Sequence, residues 1–366
     1  MRQLRIATIG DYQKWFSYFL MGTAQGSFLN GHLHYSIPIR QHYEEIENQL
    51  RYFRPHFVFC HMIFSENLAA MIKGDENAEW EQYTDRGETK MKKIESPIKR
   101  ERFHEMLAKT RRQLGFKVLY QEGDAKRIPR YPHPITELVD LVLINSRQTE
   151  EYEKIFRVPT IHWPYFAMNL DAPQPSDNLF NAQMVFAGNM SPRNRGHLHY
   201  GRAEFLEGLK KHFNLKTFPN DNIKNTRFLS AEVASSAEVV LGINQGMNIP
   251  GYLDTRPFQY IGAGAFFFMD PSDAMNDFFQ PTVHYVPYER HNVQSVRDWY
   301  NHYFKEHRDK VKEVRQTGFE YVQRWHTAAH RVKMAIDIAM GADPKNYPIY
   351  LNDIRATSLE DRLSNS

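Results

Sequence analysis

The residues whose spacing could do chemistry sit at the ends of apolar runs. Ala182-Gln-Met-Val-Phe-Ala-Gly188 breaks into Asn189-Met-Ser-Pro-Arg-Asn-Arg-Gly196, with Arg202 just beyond. Arg193 and Arg195, beside Gly188, Asn189 and Ser191, can fork onto the oxygens of a diphosphate. A helix starting after them would add its partial positive charge. The same residues would also suit a solvent-exposed basic loop. A second strand end, Leu241-Gly-Ile-Asn-Gln-Gly-Met-Asn-Ile-Pro250, opens an amide-rich loop that holds Asn244. Tyr252, Thr255, Arg256 and Gln259 follow. Arg256 suits a phosphate and Gln259 a ribose or sugar hydroxyl. In the first half, His61 ends the run Phe57-Val-Phe-Cys-His61. There an imidazole can touch an acceptor or act as a base, although most such histidines are structural.

Strands must position these groups. Leu4–Ile9, His56–Met62, Lys117–Gln121 and Leu138–Ile144 read as strands in the first half, alternating with helices over Gln41–Arg51 and Phe103–Gln113. That alternation argues for parallel βαβ units. The proline-bearing passage Asp171–Asn178 reads as a linker. The pattern then restarts: strand to Gly188, helix over Ala203–His212, and strands over Leu215–Phe218, Val239–Ile243 and Ala265–Met269. Helices over Arg297–Lys305 and Asp309–Met340 follow, then a polar tail. The expected fold is α/β, with two Rossmann-like doubly wound parallel-sheet domains facing a cleft. Their expected bounds are 1–168 and 169–330, with a helix and tail over 331–366 packing back. Ligands of such sheets bind at the carboxyl ends of the strands.

One segment joins both themes. Asp254-Thr-Arg-Pro-Phe-Gln-Tyr-Ile-Gly-Ala-Gly-Ala-Phe-Phe-Phe-Met-Asp270 reads as a short helix, a glycine turn and a buried strand. The turn is small enough to offer bare amides to a nucleotide or phosphate, or to be a plain connector.

Composition narrows the classes. With 366 residues, 42% of them apolar and 24% charged, two soluble domains are the natural expectation. No apolar run approaches membrane-spanning length, and the first residues read as a strand rather than a leader. A single cysteine, Cys60, excludes an intrachain disulfide and suits a reducing cytoplasm. The net charge of +3 hides an asymmetry: residues 86–130 hold fourteen Lys/Arg against six Asp/Glu. Such a segment suits a polyanion, or simply a solvated helix face. The pairs His32/His34 and His197/His199 lack a third ligand spaced beside them, so no metal site is read there. Neither a Walker loop nor a Gly-x-Gly-x-x-Gly after the first strand is present, which argues against P-loop and nicotinamide chemistry.

Taken together, strand–Gly–polar loop–Arg, then Thr255-Arg-x-Phe with its glycine turn, strand and Asp270, then Trp325-His-Thr-Ala-Ala-His-Arg331, resembles the nucleotide-binding domain of GT-B glycosyltransferases. Within these it is similar to spore-maturation-type enzymes and, more distantly, phage DNA β-glucosyltransferases. The likeness is best over Val185–Met334. It implies a nucleotide-diphosphate sugar as donor, taken as a UDP-sugar. The implied donor residues are Gly188, Asn189, Ser191, Arg193, Arg195, Asn244, Arg256 and Gln259. Where this chain has Gln259 the family usually has a ribose-binding acid, so ribose contact here would be uncharged. The phage enzymes place a catalytic aspartate after the strand that corresponds to Lys117–Gln121. That points to Asp124 as base, with Glu122 as substitute and His61 as a further candidate. A carboxylate there could take the proton of an attacking hydroxyl, or could instead pair with Lys126 or Arg127. With no Asp-x-Asp element, no essential metal is expected. The phage likeness and the basic segment suggest a hydroxymethylated base in duplex DNA as acceptor. A cell-envelope glycan or protein acceptor, or a non-catalytic nucleic-acid or nucleotide-sugar binding protein, are the alternatives.

Overall fold

The apolar runs become parallel strands because neither face of such a strand can meet water. The computed structural model describes residues 2–10, 17–61, 79–85, 88–94, 97–122, 137–173, 181–188, 201–218, 237–244 and 249–364. They fall into two units. One comprises Met1–Ile144, Gln148–His162 and Ala335–Ala342, the other Asn145–Arg147, Trp163–Met334 and Asp343–Ser366.

The first unit runs β1 (Arg5–Gly10), α1 (Ser17–Leu29), β2 (Leu33–Pro38), α2 (Tyr43–Phe53) and β3 (Phe57–His61). A hairpin of β4 (Glu79–Asp85) and β5 (Glu88–Ile94) precedes α3 (Pro97–Leu114). Then come β6 (Lys117–Gln121), β7 (Leu141–Ile144), α4 (Thr149–Phe156) and β8 (Thr160–His162). Six strands form a wholly parallel sheet in the order β2-β1-β3-β6-β7-β8. Its core sets Ile9, Val58, Val118 and Val142 against Leu50 of α2, Leu107 of α3 and Phe156 of α4. Cys60 is buried and free, with its thiol pKa pushed up by desolvation.

The second unit runs β9 (Ala182–Ala187), α5 (Arg202–Lys210), β10 (Leu215–Phe218), β11 (Ala237–Gly242), α6 (Thr255–Ile261) and β12 (Phe267–Met269). It continues through α7 (Asp273–Phe278), β13 (Val286–Pro287), α8 (Val293–Asn301), a π-turn (His302–Glu306) and α9 (Arg308–Trp325). Then come α10 (Ala328–Ala339) and α11 (Leu351–Ser364). Its sheet is also parallel throughout, ordered β10-β9-β11-β12-β13. The architecture is α/β with two Rossmann-like units, as expected.

The single helix expected over Asp309–Met340 is broken. Thr327 precedes α10, and His330 reaches back where half of a capping box would have an acid: the Thr327 amide and hydroxyl lie 3.4 and 2.8 Å from His330 Nδ1. The polar tail is helical too. Tyr350 is stacked under Arg147 at 4.1 Å, and Leu351 and Ile354 are buried.

Among the described residues, no helix is long and apolar enough to cross a membrane.

Candidate functional site

In each sheet the chain leaves its first strand toward one neighbour and returns on the other side. The crevice this opens at the carboxyl ends is where open α/β sheets bind ligands. In the second unit the reversal lies between β9 and β11. Leu241 sits beside Phe186, so Gly188 and Ile243–Asn244 emerge next to each other.

α6 delivers Arg256 to this point. Asp254 caps the helix, accepting the Arg256 amide at 3.0 Å, and also receives the guanidinium through Nε (2.9 Å) and Nη2. Both side chains are nearly buried, at 12% and 11% exposed. Nη1 is buried without a hydrogen-bond partner among the described residues, and it lies 3.1 Å from where a Cβ on Gly188 would stand. Desolvation opposes the Arg256 charge, but Asp254 outweighs it and the pKa is raised. The carboxylate thus aims the cation and leaves one N–H edge for an anion. Gln259, one turn on, shares with Thr255 and Arg256 the less buried face, while Pro257, Phe258, Tyr260 and Ile261 are buried.

Neighbouring groups hold the crevice. Arg202, 1% exposed, donates through Nη2 to the Ile243 carbonyl (3.0 Å) and lies over the Phe186 ring. Burial and the like charge of Arg256 lower its pKa to about 9. Asp270 ends β12 and accepts the Asn244 amide, tying down the start of the β11 loop. Desolvation raises its pKa against the pull of that amide and of Arg290, whose Nε is 3.8 Å away. Tyr288 donates to the Gly242 carbonyl at 2.7 Å. Three guanidiniums and two carboxylates therefore gather here, an excess of positive charge suited to an anion.

Of the expected donor residues, Gly188, Asn244, Arg256 and Gln259 come together at this reversal or on the helix beside it. Asn189, Ser191, Arg193 and Arg195 lie outside the described residues. Sequence reasoning left Asp254, Asp270 and Arg290 out of the site and mentioned Arg202 only in passing. Asp254 carried a signal, as an Asp two residues before an Arg at a helix start. Arg290 carried none.

The glycine turn differs from one of its two readings. The amides of Gly262, Ala263, Gly264 and Ala265 all bond to carbonyls of Phe258, Tyr260 and Ile261, so none is bare. Its smallness serves packing: a Cβ on Gly262 would stand 2.5 Å from Ala167 Cβ and from the Phe258 carbonyl oxygen. Gly262→Val is expected to cost about 1–3 kcal/mol through overpacking. A thermal scan checks this, and an unchanged midpoint would refute the packing role.

In the first unit the corresponding reversal lies between β1 and β3, where Gly10 and His61 emerge together. His61 is 2% exposed, with Nδ1 3.2 Å from the Gln121 carbonyl. A carbonyl only accepts, so Nδ1 is the donor. Glu122 follows β6, accepting from Tyr120 OH at 2.6 Å. Asp124 lies outside the described residues. His34 is hydrogen-bonded to Thr8 at 3.3 Å, while His197 and His199 lie outside the described residues.

Residues 201–337 match the family model described as Glycosyl transferase-like. The chain has the two-unit fold of the GT-B glycosyltransferases. It is similar to an alpha-glucosyltransferase solved with UDP and a 13-mer DNA (9% identity, TM-score 0.55, covering 92% of this chain and all of that one). Sucrose-phosphate synthase from Thermosynechococcus elongatus gives 10% identity and a TM-score of 0.54, over 93% and 98% of the two chains. HepE from Anabaena, solved with UDP-glucose, gives 9% and 0.51, over 93% and 100%. None of the curated proteins matches the sequence. The matched stretch contains Arg256 and Gln259 and begins one residue before Arg202.

Proposed function

We propose that the chain is a glycosyltransferase that takes a sugar from a nucleotide-diphosphate donor, a UDP-sugar, and places it on an acceptor hydroxyl. One observation carries the reading. Arg256 is fixed by Asp254 at the reversal of the second sheet, with Nη1 unpartnered among the described residues and turned to Gly188. A diphosphate oxygen is the natural partner for that edge. Arg193 and Arg195 would add charge, and Gln259 would bridge sugar or ribose hydroxyls. Arginines replace a divalent ion, so the reaction is proposed to need no metal.

On the acceptor side Asp124 is the proposed base, with Glu122 and His61 beside the same strand ends. As the acceptor oxygen attacks the anomeric carbon, the base takes its proton and the nucleoside diphosphate leaves with the bonding pair of the broken bond. For the acceptor we favour a hydroxymethylated base in duplex DNA, held through the basic segment 86–130. Part of that segment is committed internally: Arg111 pairs with Asp140 at 2.7 Å and Lys117 bonds to the Ala339 carbonyl.

The test combines UDP binding with UDP release. UDP at about a hundred times its Kd should stabilise the protein by about 2.7 kcal/mol. Asp124→Asn should keep that stabilisation and lose UDP release in the presence of donor and acceptor. Full turnover in this variant would sink the base assignment, and absence of any nucleotide-induced shift would sink the donor reading. A duplex that fails to shift in a gel at about 50 mM salt would remove DNA as acceptor.

A further inference from the structure

A second cluster of ligand-type side chains lies in the same unit, away from the reversal. His302, Glu306 and His307 have one ligand atom each within 4.8 Å of the others. Their grouping comes from the backbone. The His307 amide bonds to the His302 carbonyl at 3.0 Å, five residues back, so the chain forms a π-turn between α8 and α9. In an α-helix, positions i and i+5 diverge. Widening the turn puts the two imidazoles at 4.5 Å between ring centroids, and leaves Glu306 Oε2 3.5 Å from His302 Nδ1. Single π-turns inside helices are rare and recur at functional sites.

We propose that His302, Glu306 and His307 form a binding site for a first-row transition-metal dication, with Zn2+ as the first choice. Two imidazoles and one carboxylate are a borderline-soft set that favours zinc, copper or nickel over calcium or magnesium. Ligands about 2.0–2.1 Å from a tetrahedral ion stand about 3.4 Å apart, close to the His302–Glu306 separation already present. His302 and Glu306 are 39% and 63% exposed, so an ion can enter and water can complete its shell.

The ion would not serve the donor. Tyr300, just before the turn, accepts from Gln183 at 3.1 Å and donates to Glu238, near the amino ends of β9 and β11. Tyr303 packs at 4.9 Å on Phe266, just before β12. The cluster therefore sits at the end of the sheet opposite Gly188 and Arg256. Its role is to fasten the α8–α9 junction, an ordering effect.

Calorimetric titration of the full, tag-free chain with Zn2+ tests this. One ion per chain should bind, and binding should raise the thermal midpoint. The double variant His302→Ala/His307→Ala should abolish that event, and Glu306→Gln should weaken it by about tenfold or more. Glu306→Lys, at an exposed position, keeps the test sound if the double variant fails to fold. Trp299 lies 5.7 Å from His302. Ni2+ should therefore quench tryptophan emission in the wild type and not in Glu306→Lys. Absence of Zn2+ uptake by the wild type, or equal binding by Glu306→Lys, overturns the proposal.

Discussion

Arg256→Lys is expected to erase the thermal stabilisation by UDP and to lower transfer about 10²–10³-fold, the range found when one donor to a developing anion is removed. Lysine keeps the charge but not the fork. Arg256 uses two edges at once: Nε and Nη2 are spent on Asp254, and Nη1 is left toward Gly188. An ammonium on a flexible stem cannot divide its work that way. Asp254→Asn should move activity in the same direction by a smaller factor, since it loosens the aim without removing the cation. Steady-state rates and UDP-dependent melting on both variants check this. A lysine variant with unchanged kcat/KM would remove Arg256 from the donor site.

Mild acid should destabilise the second unit through two buried histidines. His284 is 6% exposed and His326 fully buried, and desolvation is the main cause that lowers both pKa values, that of His284 to about 4. Each ring already uses Nδ1 as an acceptor: His284 from the Gln280 amide at 3.1 Å, His326 from Arg331 Nη2 at 2.6 Å. Arginine only donates, so His326 carries its proton on Nε2, facing Tyr321 OH at 3.2 Å. Because the folded pKa lies below the unfolded 6.5, the stabilisation is whole above about pH 6.5. It is lost as pH falls toward the folded value. At pH 5 the loss from His284 alone is about 2 kcal/mol, enough to lower the midpoint by roughly 5 °C, and His326 adds to it in the same direction. His326→Gln should flatten the slope. A midpoint that stays constant from pH 7.5 to 5 would refute the assignment. The effect reaches the site, because Phe258 of α6 packs on His326 at 5.4 Å.

What was legible in the sequence follows from how strongly each element is dictated locally. β3, β6, β9 and β11 are short apolar runs ending in Gly, His or Gln, and their periodicity leaves little choice. β2 went unread because it is an edge strand: Leu33, Ser36 and Pro38 are exposed and only Ile37 is buried, so it lacks the apolar run. The β4–β5 hairpin is mostly Glu, Lys, Gln, Thr and Asp, with only Trp80, Tyr83, Met91 and Ile94 apolar, so it lacks an apolar run. The break at Thr327 hid behind an imidazole standing where a capping box normally has an acid. In the site, Arg256 was readable because its strand–helix setting is local. The Asp270–Asn244 tie and the approach of Arg290 join residues far apart in sequence, and only tertiary packing creates them.

The helix α10 changes units partway along: its residues to Met334 belong to the second unit, and Ala335–Ala342 belong to the first. During synthesis, the first unit thus has all but one of its pieces once residue 162 has emerged. The missing piece, which carries the carbonyl that Lys117 holds, arrives about 170 residues later. At about 5–20 residues per second that is a wait of roughly 9–35 s. The earlier-made half thus closes long after its own strands are made, and ribosome-stalled chains ending before Ala335 should show it open to protease while the completed chain does not.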